Sequence, residues 1–294
     1  MHSRSTARSE DCFLRLPVTG DRQQFPQLYA HGRRLKQGKQ AEACSCVNSE
    51  FTCTLHKNKN MKVLAIDVGG TNVKMLATGQ KQPLKFPSGP NMDPRSMVDQ
   101  VKKLTAQWEY DVVSIGIPAP FLLGHLIADP RNLGPGWVAF DFGAAFGCPV
   151  KTMNDAAMQA LGSYKKGKMI FLGLGTGLGA AFVIDGVAES RELAHMPYKR
   201  KTYEDYVGRK ALEKLGKKKW RKYVARIVTS LVDTFKPDDV VIGGGNAKKL
   251  KKLPKGCRLG ANANAFLGGF RLWKNANVVS PNGAEKSKKK GTRR

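Results

Sequence analysis

The stretch M-K-V-L-A-I-D-V-G-G-T-N-V-K, residues 61–74, sets the frame for the whole chain. An apolar run of strand length ends at Asp67, two glycines turn the chain, and Val73 opens a second strand. Without side chains at Gly69 and Gly70, backbone N–H groups can approach a phosphate closely; Thr71 adds a hydroxyl donor and Lys74 a cation. Asp67, at the strand end, is suited to hold a magnesium ion through water, because magnesium keeps several waters and takes only one or two carboxylates. Read alone, the stretch is a glycine hairpin.

Two further glycine turns change that reading. L-G-L-G-T-G-L-G-A-A, residues 172–181, follows a strand and offers a second phosphate cradle at Gly175, Thr176 and Gly177. No Gly-Lys-Ser/Thr follows it, and no helix opens directly after it, so neither a Walker loop nor a dinucleotide fingerprint fits. V-V-I-G-G-G-N-A, residues 240–247, ends another strand at Gly243, Gly244 and Gly245, where bare backbone can lie against a base and ribose. A basic helix is expected just beyond it. Between these turns, strand patterns at 62–67, 73–78, 112–117, 150–153, 169–174, 180–184 and 240–242 alternate with helical patterns at 93–109, 156–165, 202–215 and 220–235. Alternation argues for an α/β fold, and strands joined by tight turns argue for some antiparallel pairing, so mixed sheets are expected.

Composition narrows the class. With 294 residues, 41% of them hydrophobic, the chain has material for about two domains, each with a core. No apolar run is long enough to span a membrane and no secretory signal stands at the amino terminus, so a cytoplasmic, non-membrane protein is expected. The formal charge of +27 invites a polyanion as partner; residues 199–258 alone hold 19 Lys or Arg against 6 Asp or Glu. The competing reading of that run is a solvated basic face. Six cysteines, four of them before Met61, are not a disulfide framework. Cys44, Cys46 and Cys53 with His56 lack the paired spacing of structural zinc sites. Residues 1–60 have no sustained periodicity and are expected to be an extension, either disordered or upstream of a native start at Met61. Residues 274–294 are expected to be a basic disordered tail.

In their order, about a hundred and then about seventy residues apart, the three glycine turns resemble the two phosphate motifs and the adenosine motif of the actin, heat-shock ATPase and hexokinase superfamily. The resemblance sharpens to the ROK (repressor, open reading frame, kinase) sugar kinases, and within them to polyphosphate glucokinases. It is carried by I-D-V-G-G-T-N-V-K, G-I-P-A-P, N-L-G-P-G-W, V-K-T-M-N-D-A-A, L-G-T-G-L-G-A-A-F-V-I-D-G, E-L-A-H-M and I-G-G-G-N-A, spread over about residues 61–273. It implies a two-lobed actin-like ATPase (ribonuclease H-like) fold, with lobes at 61–165 and 166–273, and a homodimer. It implies Asp155 as general base and Asn132, Asn154, Asp155, Glu192 and His195 as sugar ligands. Without the glycine turns, Asn154 and Asp155 read as a helix N-cap pair; with them, a base near the phosphate sites completes a mechanism. Two features depart from the family pattern: Ala194 stands where Gly usually precedes the histidine, and the cysteine-rich zinc loop is absent, so no structural zinc is expected.

The activity so implied is transfer of a phosphoryl group from polyphosphate and/or ATP to the 6-hydroxyl of glucose, with Mg2+. A kinase for another hexose or an amino sugar shares every motif above. A sugar-responsive DNA-binding regulator ranks lower, because residues 1–60 offer no pair of amphipathic helices around a short turn, and nucleic acid is not an expected partner.

Overall fold

The computed structural model describes residues 61–274; the expectations on residues 1–60, with the Cys44, Cys46, Cys53 and His56 group, and on the tail beyond Lys274 lie outside them. The chain runs β1 (Val63–Val68), β2 (Asn72–Ala77), β3 (Leu84–Pro87), α1 (Pro94–Leu104), β4 (Val112–Ile117), a small hairpin of β5 (Phe121–Leu122) and β6 (His125–Leu126), α2 (Phe142–Phe146), β7 (Val150–Asn154) and α3 (Asp155–Ser163). It continues through β8 (Met169–Leu174), β9 (Leu178–Ile184), β10 (Val187–Ser190), the hairpin β11 (Pro197–Tyr198) and β12 (Lys201–Thr202), α4 (Glu204–Val207), α5 (Arg209–Phe235), β13 (Asp239–Gly243), a 3-10 turn at Ala247–Lys249, β14 (Cys257–Leu259) and α6 (Asn264–Arg271).

Two five-stranded mixed sheets result, and they share one plan. The first has the order β3-β2-β1-β4-β7 and the second β10-β9-β8-β13-β14. In each, three strands form an antiparallel meander and two more add in parallel beside the first of them. The turns β1–β2 and β8–β9, which carry the first two glycine motifs, therefore occupy the same place in the two sheets. Central strands β1 and β4 are buried at every residue, which explains their unbroken apolar runs: both faces of the sheet are covered. Leu64, Ile66, Met75, Ile115 and Ile117 anchor the core beside the first sheet, and Trp220, Val224 and Ile227 of α5 cover the second. Each such fully buried side chain contributes about 1.5–3 kcal/mol.

Several helices differ from their sequence patterns for local reasons. The helix expected over 93–109 is α1 alone: Asp93 caps it, accepting the Ser96 N–H at 2.7 Å, and Thr105 Oγ1 donates to the Val101 carbonyl at 2.8 Å as the helix ends. The helices expected at 202–215 and 220–235 become α4 and a long α5 broken at Gly216, whose φ of 69° leaves the helical region. The basic helix expected after residue 247 is only the 3-10 turn.

Helix α6 was not foreseen, and it fixes α3. All these described residues lie in one compact unit. A methyl group on Gly162 of α3 would sit 1.8 Å from the Asn264 carbonyl oxygen, and one on Gly268 of α6 would sit 1.8 Å from the Met158 carbonyl oxygen, so the two helices touch backbone to backbone. Arg271 Nη1 donates to the carbonyls of Leu161 (2.6 Å), Gly162 (3.1 Å) and Tyr164 (3.0 Å), taking up acceptors that the end of α3 leaves open. Arg258 reaches the Ser163 carbonyl at 2.6 Å while pairing with Asp239. The same α6 returns to the first sheet, where Ser114 Oγ donates to the Gly269 carbonyl at 2.7 Å.

Candidate active site

The first sheet ends its parallel strands β1, β4 and β7 side by side, and the carboxyl ends of such strands are where open α/β sheets bind ligands. Asp67 stands near the end of β1 with 5% of its surface exposed. Its antiparallel partner in register is Lys74, whose Nζ donates to Asp67 Oδ2 at 3.1 Å. Its parallel partner is Gly116 of β4, and a methyl group on Gly116 would lie 3.3 Å from the Asp155 Cα. Gly116 thus links the two aspartates.

Asp155 opens α3 directly after β7. The preceding Asn154 caps that helix, its Oδ1 accepting the N–H groups of Ala156 (3.0 Å) and Ala157 (3.2 Å), while Nδ2 donates to the Ala119 carbonyl at 3.0 Å. The cap and the acid are therefore adjacent residues with separate tasks: Asn154 orients the helix start from which Asp155 projects. Asp155 keeps some exposed surface as a residue, but its carboxyl is enclosed. Burial, reinforced by the negative charge of Asp67, pushes its pKa up from 3.8 to about 7, against the pull of backbone N–H groups at the helix start and of Lys74. A carboxylate of that kind is a proton acceptor matched to neutral pH.

The β1–β2 turn is braced from behind. Gly69 N–H donates to the Asn72 carbonyl at 3.0 Å, Ser88 N–H to the Thr71 carbonyl at 3.0 Å, and Ser88 Oγ to the Gly69 carbonyl. Gly70 faces Asn132: a methyl group there would lie 3.3 Å from the Asn132 Cβ. The loop bearing Asn132 is held by Asp129, which accepts the N–H groups of Gly136 (2.9 Å), Trp137 (2.8 Å) and Val138 (3.2 Å); these bonds, that of Gly136 foremost, hold its carboxyl below the usual range against partial burial.

The β8–β9 turn closes with Gly175 N–H donating to the Gly177 carbonyl at 3.1 Å. The third glycine motif lies on it: Asn246 N–H donates to the Leu174 carbonyl and Asn246 Nδ2 to the Gly175 carbonyl, both at 2.9 Å. Gly244 has a φ of 82°, and a methyl group on it would meet the Leu174 carbonyl oxygen at 2.5 Å, so only glycine fits. The second turn also approaches α3, since a methyl group on Gly179 would lie 3.1 Å from the Ala156 Cβ. Asp155 therefore stands beside Asp67, while its neighbour Ala156 packs on the strand that leaves the second turn.

Glu192 and His195 lie exposed in the loop between β10 and β11, and neither side chain is hydrogen-bonded to another of the described residues. Proximity joins Asp67, Lys74 and Asp155; Gly70 and Asn132; and Gly175 with Gly243–Asn246. It does not tie Glu192 or His195 to Asp155. One acid went unnoticed in the sequence: Glu204 Oε2 accepts the Leu178 N–H at 3.1 Å and lies 2.0 Å from where a methyl group on Gly177 would stand. Nothing in Y-E-D-Y signals this, because the pairing spans 26 residues. Among the described residues no three His, Cys, Asp or Glu side chains cluster as a metal site. Asp67 offers one carboxylate, and magnesium takes only one or two, so it is the residue that could hold that ion.

Paired mixed sheets with equivalent glycine turns define an actin-like ATPase fold, and comparison with solved structures agrees. The inorganic polyphosphate/ATP-glucomannokinase of Arthrobacter sp. strain KM superposes with a TM-score of 0.62 at 23% identity, covering 71% of this chain and 96% of that one. A ROK family glucokinase of Streptomyces griseus, solved with glucose and AMPPNP, superposes with a TM-score of 0.58 at 15% identity, covering 72% and 98%. At such identities the likeness establishes the fold. In sequence, residues 63–190 match the model of the ROK family. The polyphosphate glucokinase of Mycobacterium tuberculosis is 25% identical over 209 residues, 64% of this chain and 78% of that protein. No helix among the described residues is long and apolar enough to cross a membrane.

Proposed function

We propose that the chain is a sugar kinase that transfers a phosphoryl group from polyphosphate or ATP to the 6-hydroxyl of glucose, with Asp155 as general base. The observation that carries this reading is the carboxyl of Asp155 at the start of α3, beside Asp67 and raised to about 7. In the reaction the sugar oxygen attacks the terminal phosphorus as Asp155 accepts its proton. The bond from phosphorus to the bridging oxygen breaks, and its electron pair stays on the shortened polyphosphate or on ADP. Asp155 contributes about 10²–10⁴ in rate. The backbone amides of the β1–β2 and β8–β9 turns, with Lys74, align the donor and offset its charge. Asp67 is the residue that would hold magnesium, which when bound would supply positive charge to offset that of the donor phosphates. Asn132, Asn154, Glu192 and His195 orient the sugar. Asn154 has one side-chain N–H left for this after Nδ2 donates to the Ala119 carbonyl, and Glu192 and His195 reach the sugar from their exposed loop.

The kinship with the Mycobacterium tuberculosis polyphosphate glucokinase supports glucose as acceptor and polyphosphate as donor. The test is a panel of hexoses and amino sugars offered to the full chain with each donor, alongside Asp155→Asn. Glucose 6-phosphate is the expected product, and the amide variant is expected to turn over about 10²–10⁴ times more slowly. A variant that works at full speed refutes the assignment of the base, and a preferred amino sugar refutes that of the acceptor.

A further inference from the structure

The densest charge in the chain lies outside the site described above, yet the fold connects it to that site. Asn246 grips the β8–β9 turn through the carbonyls of Leu174 and Gly175. The 3-10 turn follows it, with Lys248 exposed, and Lys251 and Lys252 are exposed just beyond. Arg221 of α5 donates through Nε to the Lys249 carbonyl at 2.7 Å, which fastens this basic segment to the long helix. Lys217 and Lys218 stand four and three residues before Arg221, on the same side of the helix, and both are exposed. Two lysine clusters are thus joined into one surface that begins where the second glycine turn ends.

These lysines are uncommitted. The ion pairs among the described residues use Lys62, Lys74, Arg191 and Arg258, and none of the five lysines takes part. The surface also lacks faces on which bases could stack: Trp220 is fully buried, and Tyr223 is engaged with Tyr198 and Tyr206. Single-stranded nucleic acid is held by charge together with aromatic platforms. Charge without platforms fits a polyanion that has no bases. Lysine ammonium groups on flexible stems act as point charges that need no fixed acceptor geometry, which suits a chain that must advance as it shortens.

We propose that Lys217, Lys218, Lys248, Lys251 and Lys252 form a track for the tail of linear inorganic polyphosphate whose reacting end lies at the β8–β9 turn. The inference rests on the donor reading above, and it assigns polymer binding to residues remote from the chemistry.

The test compares the full chain with a variant carrying all five lysines as glutamine. Initial rates are measured with long-chain polyphosphate, tripolyphosphate and ATP across a salt series, and binding of long-chain polyphosphate is measured separately by calorimetry. In the variant the KM for the long polymer is expected to rise about tenfold or more. The slope of log KM against log salt is expected to fall by about 3.5, at about 0.7 for each of the five lost phosphate contacts. The KM values for ATP, tripolyphosphate and glucose are expected to stay within about twofold. An equal rise for short and long donors, or no rise at all, overturns the track. So does a wild-type chain that uses ATP but neither uses nor binds long polyphosphate, or a single-stranded RNA homopolymer that displaces the polymer at equal charge concentration. If no donor supports turnover while the variant alone loses polymer binding, the kinase reading fails and the binding surface stands.

Discussion

The raised carboxyl of Asp155 makes the pH dependence of the reaction the sharpest test of the site. With a pKa of about 7, roughly one tenth of the enzyme carries the ionised base at pH 6 and roughly nine tenths at pH 8. At subsaturating sugar the rate should therefore rise about tenfold between those values. Asp67 is the second cause of the shift after burial, so Asp67→Asn should move the midpoint down. For a like charge this close, a shift of about one unit is expected, and the pH 8 to pH 6 ratio would then fall from about ten to about two. The variant also loses a donor-side group, so its absolute rate drops, and the shape of the profile is the informative quantity. Direct counting of labelled sugar phosphate avoids any pH dependence of coupling enzymes. A wild-type profile flat from pH 6 to 8, or a limb that stays in place in Asp67→Asn, refutes the reasoning. Linkage gives a second reading: because the folded pKa is raised, the stabilisation from protonated Asp155 is fully present below 3.8 and is lost as pH rises through about 7.

Three further outcomes follow from the packing. Gly268→Ala places a methyl group 1.8 Å from the Met158 carbonyl oxygen, and the overpacking should lower stability by about 1–3 kcal/mol in urea unfolding; an unchanged midpoint would mean that α6 does not press on α3. Asn154→Ala removes the cap of α3 and should cost about 1 kcal/mol in the same assay, with no loss expected if water replaces both bonds at no cost. Gly177→Ala drives a methyl group into the Glu204 carboxylate and should raise the donor KM while leaving the glucose KM unchanged. Combining it with Glu204→Ala should recover part of the loss, and a rise in the glucose KM alone would show that the turn serves the acceptor.

How legible the molecule was depended on how local each signal is. Strands β1, β4, β8 and β13 announce themselves because burial on both faces demands continuous apolar residues. Asp67 and Asp155 were legible because each sits next to a strand end, beside a glycine turn or a cap. Helix α6 was not, since N-A-F-L-G-G-F-R carries two glycines that weaken a helix by about 1 kcal/mol each relative to alanine. Those glycines are present for the contact with α3, a tertiary cause that no window of sequence contains. Glu204 and Arg271 were missed on the same ground: their partners lie 26 and 110 residues away. The interruption at Gly216 was legible as the gap between the helices expected at 202–215 and 220–235; what was not legible is that a single residue leaves the helical region and the helix resumes at once.

The seating of α3 by α6 also has a consequence for the life of the polypeptide. The helix that presents Asp155 is finished by Arg271, which lies 110 residues after its partner Leu161, so a nascent chain already carrying Asp155 and both glycine turns still lacks the wedge that seats α3. Proteolytic nicking near residue 264 would undo the same wedge in the mature molecule, silencing turnover while every reacting group stays chemically intact.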